Sequence, residues 1–185
     1  MPSLKGPQLF IFMGLIASGK STLAQLFAQR NDLPYYNSDV VRKELAGLKG
    51  GAAAAFGAGI YTPEFSRRTY YELWSRALAE LSGGKSVVLD GSYHKKSERW
   101  RLVEACGTSY DYTFILCTCP PAETRERLLR RAEDPEAVSD GTWDIFVKQQ
   151  QQFEYPHELS KSHLLVVPTC ASPDELLVDL NNRLS

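Results

Sequence analysis

Cysteine and histidine are scarce in this 185-residue chain, which has four cysteines and three histidines. No two cysteines stand at Cys-x-x-Cys spacing, and no histidine lies near a cysteine at the spacing of a zinc site. We therefore expect neither a structural zinc centre nor a disulfide framework. The cysteines are expected to be reduced, buried thiols, with Cys117 and Cys119 on one face of a strand.

Long apolar runs and a large net charge are also missing. No run approaches the roughly 20 residues needed to cross a bilayer, and residues 1–7 lack the apolar core of a secretory signal. We expect a cytoplasmic protein without a membrane partner. The formal net charge of -1 argues against a globally basic nucleic-acid binder, so no extended nucleic-acid surface is expected. The chain shows no internal repeat, and its length suits one domain, residues 1–185.

What the chain does contain is a phosphate-binding loop. The apolar residues 9–13 run into Gly14, and Gly19-Lys20-Ser21-Thr22 follows after four residues, in the order strand, loop and helix. Such a loop points backbone N–H groups and a helix N-terminus at an anion. Lys20 is expected to reach the β- and γ-phosphates and Ser21 to bind Mg²⁺. The predicted nucleotide-binding residues are Gly14, Leu15, Ile16, Ala17, Ser18, Gly19, Lys20, Ser21 and Thr22, although helix packing is the favoured role for the Thr22 side chain.

Five short apolar segments alternate with helical patterns along the chain. Strands are expected at residues 9–13, 34–37, 86–90, 112–119 and 164–167, which predicts an α/β fold with a parallel sheet covered on both faces. Ser38 is expected to cap the second helix, and Thr62-Pro63-Glu64 to open the third. Ligands bind at the carboxyl ends of parallel strands, so the residues that follow the strands should share one cleft.

Two aspartates follow strand ends, and each has two interpretations. Asp90 suits either a Walker-B acid that positions Mg²⁺ or an acid that orders its loop. Asp39 suits either a general base for an acceptor hydroxyl or a first-turn acid that complements the helix dipole and pairs with Arg42 or Lys43. Tyr93-His94 follows Asp90, and both residues are expected to line an acceptor pocket.

Basic side chains also carry more than one interpretation. Arg127 and Arg131 suit a mobile lid that closes over the γ-phosphate, or a solvated helix with an ion pair from Glu123 to Arg127. A further basic set suits a solvated helix face or a positive acceptor side, namely Arg67, Arg68, Lys95, Lys96, Arg99 and Arg101. The Gly- and Ala-rich residues 46–60 are expected to form a flexible flap, because such a composition is costly to order.

Residues 14–22, 38–45, 61–64, 86–92 and 139–140 together resemble the small P-loop kinases. These are similar to polynucleotide 5′-hydroxyl kinase and, more distantly, to gluconate kinase, chloramphenicol phosphotransferase and zeta toxins. The resemblance implies a three-layer nucleotide-kinase-like fold, the sheet order 2-3-1-4-5 and a lid at about residues 126–140. It implies that Asp39 and Arg42 form an Asp-x-x-Arg pair of general base and acceptor ligand, and that Thr169 and Pro173 lie near the adenine. Residues 46–60 depart from the pattern, which leaves the acceptor open.

The sequence therefore predicts an ATP- and Mg²⁺-dependent kinase that phosphorylates a hydroxyl of a small molecule or of a nucleic-acid 5′ end. A dedicated polynucleotide 5′-hydroxyl kinase is one alternative. A nucleotide switch without a phosphoacceptor is the other, but the chain lacks an Asn-Lys-x-Asp guanine motif, and Tyr93 takes the place of glycine in an Asp-x-x-Gly motif at Asp90. The sequence does not indicate an oligomeric state.

Overall fold

The structure is a computed structural model that describes residues 6–48, 60–133 and 142–184. The strands are β1 (Gln8–Met13), β2 (Tyr35–Asn37), β3 (Val87–Asp90), β4 (Asp111–Thr118) and β5 (Leu164–Pro168). The helices are α1 (Lys20–Arg30), α2 (Ser38–Leu45), α3 (Pro63–Ser82), α4 (Lys96–Cys106), α5 (Pro121–Ala132), α6 (Trp143–Gln152) and α7 (Pro173–Leu184).

The five strands form one parallel sheet in the order β2-β3-β1-β4-β5, as predicted. The central strand β1 alternates its side chains between the two faces. Leu9, Ile11 and Met13 pack with residues of α3 and α4 on one face. Phe10 and Phe12 pack with residues of α1 and α7 on the other. Both faces are therefore covered, and the predicted three-layer architecture is confirmed.

Two predictions about local structure are wrong. Ser38 is the first residue of α2 rather than its cap, because the Asn37 side-chain oxygen accepts hydrogen bonds from the backbone N–H groups of Asp39, at 2.9 Å, and Val40, at 3.1 Å. Strand β4 ends at Thr118, whose carbonyl accepts the Thr169 N–H at 2.9 Å, so Cys119 lies beyond the strand. Cys119 is half-buried and Cys170 exposed, and only the other two thiols are buried.

The predicted start of α3 is confirmed, since Thr62 Oγ1 accepts the Phe65 N–H and Pro63 is the first helical residue.

Parts of two predicted segments lie outside the described residues. Of the predicted flap at residues 46–60, residues 49–59 are not described, and of the predicted lid at about 126–140, residues 134–140 are not. The described start of the lid is the C-terminal part of α5, a regular helix. Within the described ranges, the structure has no helix of the length and apolar character that crossing a membrane requires.

A buried ion pair corrects the interpretation of Arg99 as part of a solvated or acceptor-side basic face. Its side chain is fully buried, and Nε donates to Glu158 Oε1 at 2.6 Å while Nη1 donates to the Tyr93 carbonyl at 2.8 Å. A buried arginine requires such partners. The pair joins α4 and the loop after β3 to the segment that follows α6.

Removing the carboxylate of this pair is expected to destabilise the protein strongly. Glu158→Gln leaves the Arg99 charge buried and uncompensated, so we expect the free energy of unfolding to fall by about 3 to 5 kcal/mol. Urea unfolding measures the change, with Glu104→Gln on the exposed surface of α4 as control, expected within about 0.5 kcal/mol of wild type. Equal stability of the two variants would contradict the structural role of the pair.

Candidate active site

The loop between β1 and α1 has the backbone that a phosphate site requires. Gly14 has φ +146° and Gly19 φ +80°, and a Cβ at Gly14 would lie 2.4 Å from the Cys117 carbonyl oxygen. Only glycine fits there without strain. The N-terminus of α1 has no side-chain cap, so its first N–H groups remain available to a ligand. Together with the helix dipole, these groups form an anion-binding site.

The loop is held in place by residues distant in sequence. Ile16 N–H donates to Gln149 Oε1 of α6 at 2.9 Å, and the first loop residue, Gly14, donates its N–H to the Ser92 carbonyl at 3.3 Å. On the opposite side, Thr169 Oγ1 lies 2.5 Å from the Ser18 carbonyl and 3.1 Å from the Thr118 carbonyl. Ile16 and Ala17 also pack against Leu128, Ile145 and Phe146. The loop therefore packs into the hydrophobic cluster that it shares with α5 and α6.

Arg127 bridges the loop and the segment after β5. Its Nη2 donates to the Thr169 carbonyl at 2.6 Å, and its Nη1 lies 3.4 Å from the Ala17 carbonyl. The predicted ion pair from Glu123 to Arg127 is present at 2.9 Å. The guanidinium thus supports the phosphate loop directly, and a role at the γ-phosphate stays a prediction.

Arg127→Ala is expected to destabilise the protein by about 2 kcal/mol, because buried carbonyl oxygens lose a charged donor. Arg130→Ala is the matched control. That side chain is largely exposed, 3.6 Å from the same Glu123, and its removal is expected to cost less than about 0.5 kcal/mol. Thermal unfolding of both variants tests the difference, and equal melting temperatures would contradict the bridge.

A groove of about 320 Å³ opens beside this bridge. It is lined by residues of the loop, α5 and the start of α7, among them Gly19, Thr22, Arg127, Arg131, Thr169 and Pro173. Thr22 is exposed in this groove, so the preference for a packing role was wrong. The predicted nucleotide-side residues Thr169 and Pro173 thus lie on the same groove as the phosphate loop.

A larger cavity of about 1050 Å³ lies on the other side of Lys20. It brings together Lys20 from α1, Asp39 and Arg42 from α2, and residues of α3, α4, α6 and the loop after β3. Arg42 is almost fully buried, and its Nη1 donates to the Ile60 carbonyl at 2.8 Å and to Ser66 Oγ at 3.2 Å. Its guanidinium also lies 5.1 Å from the centre of the Tyr61 ring. A bound molecule in this cavity would contact the predicted base and the predicted acceptor ligand together.

Asp39 has a strongly polar environment. Burial raises the pKa of its carboxyl, and the nearby Asp90 raises it further, while the positive charges of Lys20, Arg42 and Lys43 lower it. Burial lowers the pKa of Arg131 and the charge of Arg127 lowers it further, while the nearby charges of Asp90 and Asp39 oppose this shift. These electrostatic contacts place both predicted aspartates and one predicted lid arginine around one site.

Asp90 lies at the bottom of this site, fully buried at the end of β3. Its Oδ2 accepts the Tyr35 hydroxyl and the Asn37 side-chain amide, both at 2.6 Å, and this contact and burial raise the pKa of Tyr35. Its Oδ1 has no partner among the described residues. A buried free carboxylate oxygen fits a Mg²⁺ ion or its bound water, so Asp90 and Ser21 suit the predicted metal site.

Several functional contacts were missed in the sequence. Tyr35 and Asn37 stand two apart on β2, on the same face, and the register pairs Asn37 with Asp90. That polar pair at a strand end was an available signal. Gln149 had no comparable signal, because its contact with Ile16 joins distant elements. Tyr93 was predicted to line an acceptor pocket. It lines the larger cavity, but its ring is 1% exposed and packs against Tyr70 with ring centres 4.7 Å apart, so contact with an acceptor stays a prediction.

Comparisons with known proteins agree with this geometry. The family model AAA_33, described as an AAA domain, matches residues 9–156. Shikimate kinase from Microcystis aeruginosa (strain NIES-843 / IAM M-2473) is 33% identical over 90 residues, which cover 48% of this chain and 43% of that kinase. The match thus spans less than half of that relative's length.

Solved structures share the fold over nearly the whole chain. A gluconokinase from Sinorhizobium meliloti 1021 has a TM-score of 0.65 at 18% identity, covering 97% of both chains. The APS kinase CysC of Mycobacterium tuberculosis, in complex with AMPPNP and APS, has a TM-score of 0.67 at 16% identity, covering 97% of this chain and 98% of that one. Since the family model spans most of the sequence, the chain belongs to the AAA_33 family and has the fold of the small P-loop kinases.

Proposed function

We propose that this protein is an ATP-dependent kinase that transfers the γ-phosphoryl group to a hydroxyl of a small molecule. The observation that carries the proposal is that Lys20 and Asp39 line one cavity, with the phosphate loop on one side and an acceptor-sized space on the other. The relatives named as shikimate kinase, gluconokinase and APS kinase support a small-molecule acceptor.

In this proposal the chain's residues divide into a donor half and an acceptor half. The N–H groups of residues 14–21 and the Lys20 ammonium hold the phosphates of ATP, and Thr22, Thr169 and Pro173 border the nucleotide. Arg131, with Arg127 beside it, stabilises negative charge on the transferring group. Ser21 and Asp90 would hold a Mg²⁺ ion, which would supply positive charge to offset that of the ATP phosphates.

Asp39 orients the acceptor hydroxyl and takes its proton as the new oxygen–phosphorus bond forms and ADP leaves. Lys20 and Arg42 favour the ionised carboxylate that this role requires. Asp90 is the poorer candidate base, because two short hydrogen bonds hold it and it does not line the cavity. Arg42 and Tyr93 complete the acceptor side.

The remaining organisation is part of the same proposal. Residues 1–185 form one kinase domain, with residues 46–60 on the acceptor side and a lid at about residues 126–140. The enzyme acts in the cytoplasm, without a membrane partner.

An ATP-consumption screen over nucleosides, oligonucleotide 5′ ends, sugars and hydroxylated antibiotics tests the proposal. Phosphorus NMR of each positive reaction must show one phosphorylated product for each ADP. ATP hydrolysis that no hydroxyl compound intercepts would instead support a nucleotide switch.

A nucleic-acid 5′ end as acceptor predicts a different pattern. Oligonucleotides would then bind with an affinity that falls steeply as salt rises, because phosphate contacts release counterions. Phosphorylation of a small hydroxyl compound without oligonucleotide binding at low salt excludes this alternative.

A further inference from the structure

We propose that His94 is a specificity-determining residue that donates a hydrogen bond from Nε2 to an oxygen of the acceptor, and that Tyr70 and Ser92 hold its ring in the required tautomer. The contact with the acceptor rests on the proposed function. The tautomer does not, because it follows from hydrogen bonds within the chain.

A backbone donor fixes the orientation of the Tyr70 hydroxyl. The Tyr93 N–H donates to Tyr70 Oη at 3.3 Å. A backbone amide can only donate, so the Tyr70 hydrogen must point elsewhere. Its other partner is Ser92 Oγ, at 3.0 Å. The arrangement that gives the Tyr70 hydrogen an acceptor within the chain has Tyr70 as the donor and Ser92 as the acceptor in that contact.

The hydrogen bond between Ser92 and His94 then determines the tautomer of the histidine ring. Ser92 Oγ also lies 3.1 Å from His94 Nδ1. With one lone pair used by Tyr70, the Ser92 hydrogen points to Nδ1, which accepts it. The reverse arrangement, with Nδ1–H donating to Ser92, would leave the hydrogen of either Ser92 or Tyr70 without an acceptor among the described residues. Nδ1 is thus unprotonated, and the ring hydrogen of the neutral imidazole is on Nε2.

The ring is neutral near pH 7. Burial lowers the pKa of His94 to about 4, and the charges of Lys95 and Arg99 lower it as well, against an opposing effect of Glu154. A neutral Nε2–H group can donate a hydrogen bond but carries no charge to be neutralised.

The position of the His94 ring is set by the contacts of its loop. His94 lines the large cavity together with Lys20 and Asp39. Its own loop is attached to the phosphate loop, since Gly14 N–H donates to the Ser92 carbonyl at 3.3 Å, and Glu154 N–H donates to the His94 carbonyl at 2.9 Å. The donor is therefore held at a fixed place in the acceptor half of the site.

The surrounding charges indicate what the donor meets. Among the described residues, seven basic side chains line the cavity against three acidic ones, and the basic ones can only donate. Of the acids, Glu72 is paired with Arg76 at 2.9 Å. A lining so rich in donors selects an acceptor with an oxygen that carries no hydrogen. We therefore assign the acceptor class as a hydroxyl compound that also bears an anionic oxygen, such as a carboxylate or phosphate.

Histidine tautomers can be read directly in long-range ¹H–¹⁵N NMR spectra of the labelled protein at pH 7.5. His94 is expected as the Nε2–H form. His163 serves as an internal reference with the opposite tautomer. Its Nδ1 lies 2.8 Å from the Tyr112 carbonyl, which can only accept, so the Nδ1–H form is expected. Signals are assigned with His94→Gln and His163→Gln. Ser92→Ala should abolish the preference of His94 for the Nε2–H tautomer and leave the tautomer of His163 unchanged. An Nδ1–H or charged His94 would overturn the proposal.

Kinetics test the contact with the acceptor found in the screen. His94→Phe is expected to raise the acceptor KM roughly 10- to 100-fold, the loss of a hydrogen bond to a charged group, with kcat and the KM for ATP within about twofold. His94→Gln, whose amide N–H can replace Nε2–H, should recover most of the affinity. An unchanged acceptor KM in His94→Phe would overturn the contact while the kinase function stands. A wild type that shows the Nε2–H form but phosphorylates no hydroxyl compound would overturn the proposed function, and with it the contact.

Discussion

Replacing Lys20 with alanine is expected to lower kcat by about 10²- to 10³-fold or more while the protein stays folded. Lys20 is the first residue of α1 and lines the larger cavity, while the preceding Gly19 lines the smaller groove. In the proposed function its ammonium meets the β- and γ-phosphates. Loss of one preorganised group that stabilises transition-state charge costs this much in rate. Single-turnover phosphotransfer to the acceptor measures the effect.

The matched control is Lys85→Ala, which removes an exposed lysine from the turn after α3. We expect its kcat to equal that of wild type, and both variants should unfold at similar temperatures. A Lys20→Ala enzyme with near-normal turnover would remove the phosphate loop from the mechanism.

Replacing Asp39 with asparagine is expected to have opposite effects on activity and stability. Loss of the base should lower kcat by about 10²- to 10⁴-fold, with the affinity for ATP largely kept. At neutral pH the variant should nevertheless be more stable than wild type, because burial makes the ionised carboxylate costly in the folded protein.

The pH dependence of this stability follows from the direction of the shift. The pKa of Asp39 is higher in the folded protein than its usual 3.8, so between those two values the folded state binds more protons than the unfolded state. Wild type therefore loses stability as pH rises through that interval, while Asp39→Asn does not. Below about pH 3.8 the two should be equally stable, and kcat/KM of wild type should rise with pH as the base ionises.

Urea unfolding of wild type, Asp39→Asn and Asp174→Asn across this pH range tests both claims. Asp174 is largely exposed at the start of α7, 3.5 Å from an exposed Arg30, so its replacement should change neither rate nor pH dependence. An Asp39→Asn variant with full phosphotransfer would show that Asp39 is not the base.

Much of the sheet was predictable because its signals are local. Residues 9–13 are apolar and lead into a glycine-rich turn, and β3 is a short apolar strand between polar ends. The errors occurred where neighbours compete for the same contact. Asn37 and Ser38 are both residue types that cap helices well. Because Asn37 ends β2 in an extended conformation, it takes the cap position, and α2 begins at Ser38. Cys119 was assigned to β4, but the strand ends at Thr118, and Pro120 already caps the next helix.

The site was predictable in its parts but not in their connections. Lys20 and Asp39 follow strands in the sequence and Asp90 ends one, and parallel strands bring such residues to one edge. The contacts that hold them come from far along the chain, as with Gln149 on Ile16 and Arg127 on Thr169. Arg99 shows the same limit, because its neighbours on α4 gave no sign that its partner Glu158 would bury it.

The segment after α6 has a consequence for how acceptor choice can change. Glu154 holds the His94 backbone, and Glu158 holds Arg99, which in turn holds the Tyr93 backbone. These contacts shape one wall of the acceptor cavity from a stretch that has no contact with the nucleotide groove. Under the proposed function, substitutions at residues 153–157, which leave the Glu158–Arg99 pair in place, are expected to alter which molecule is phosphorylated without weakening ATP binding. That stretch is the place to begin redesigning specificity.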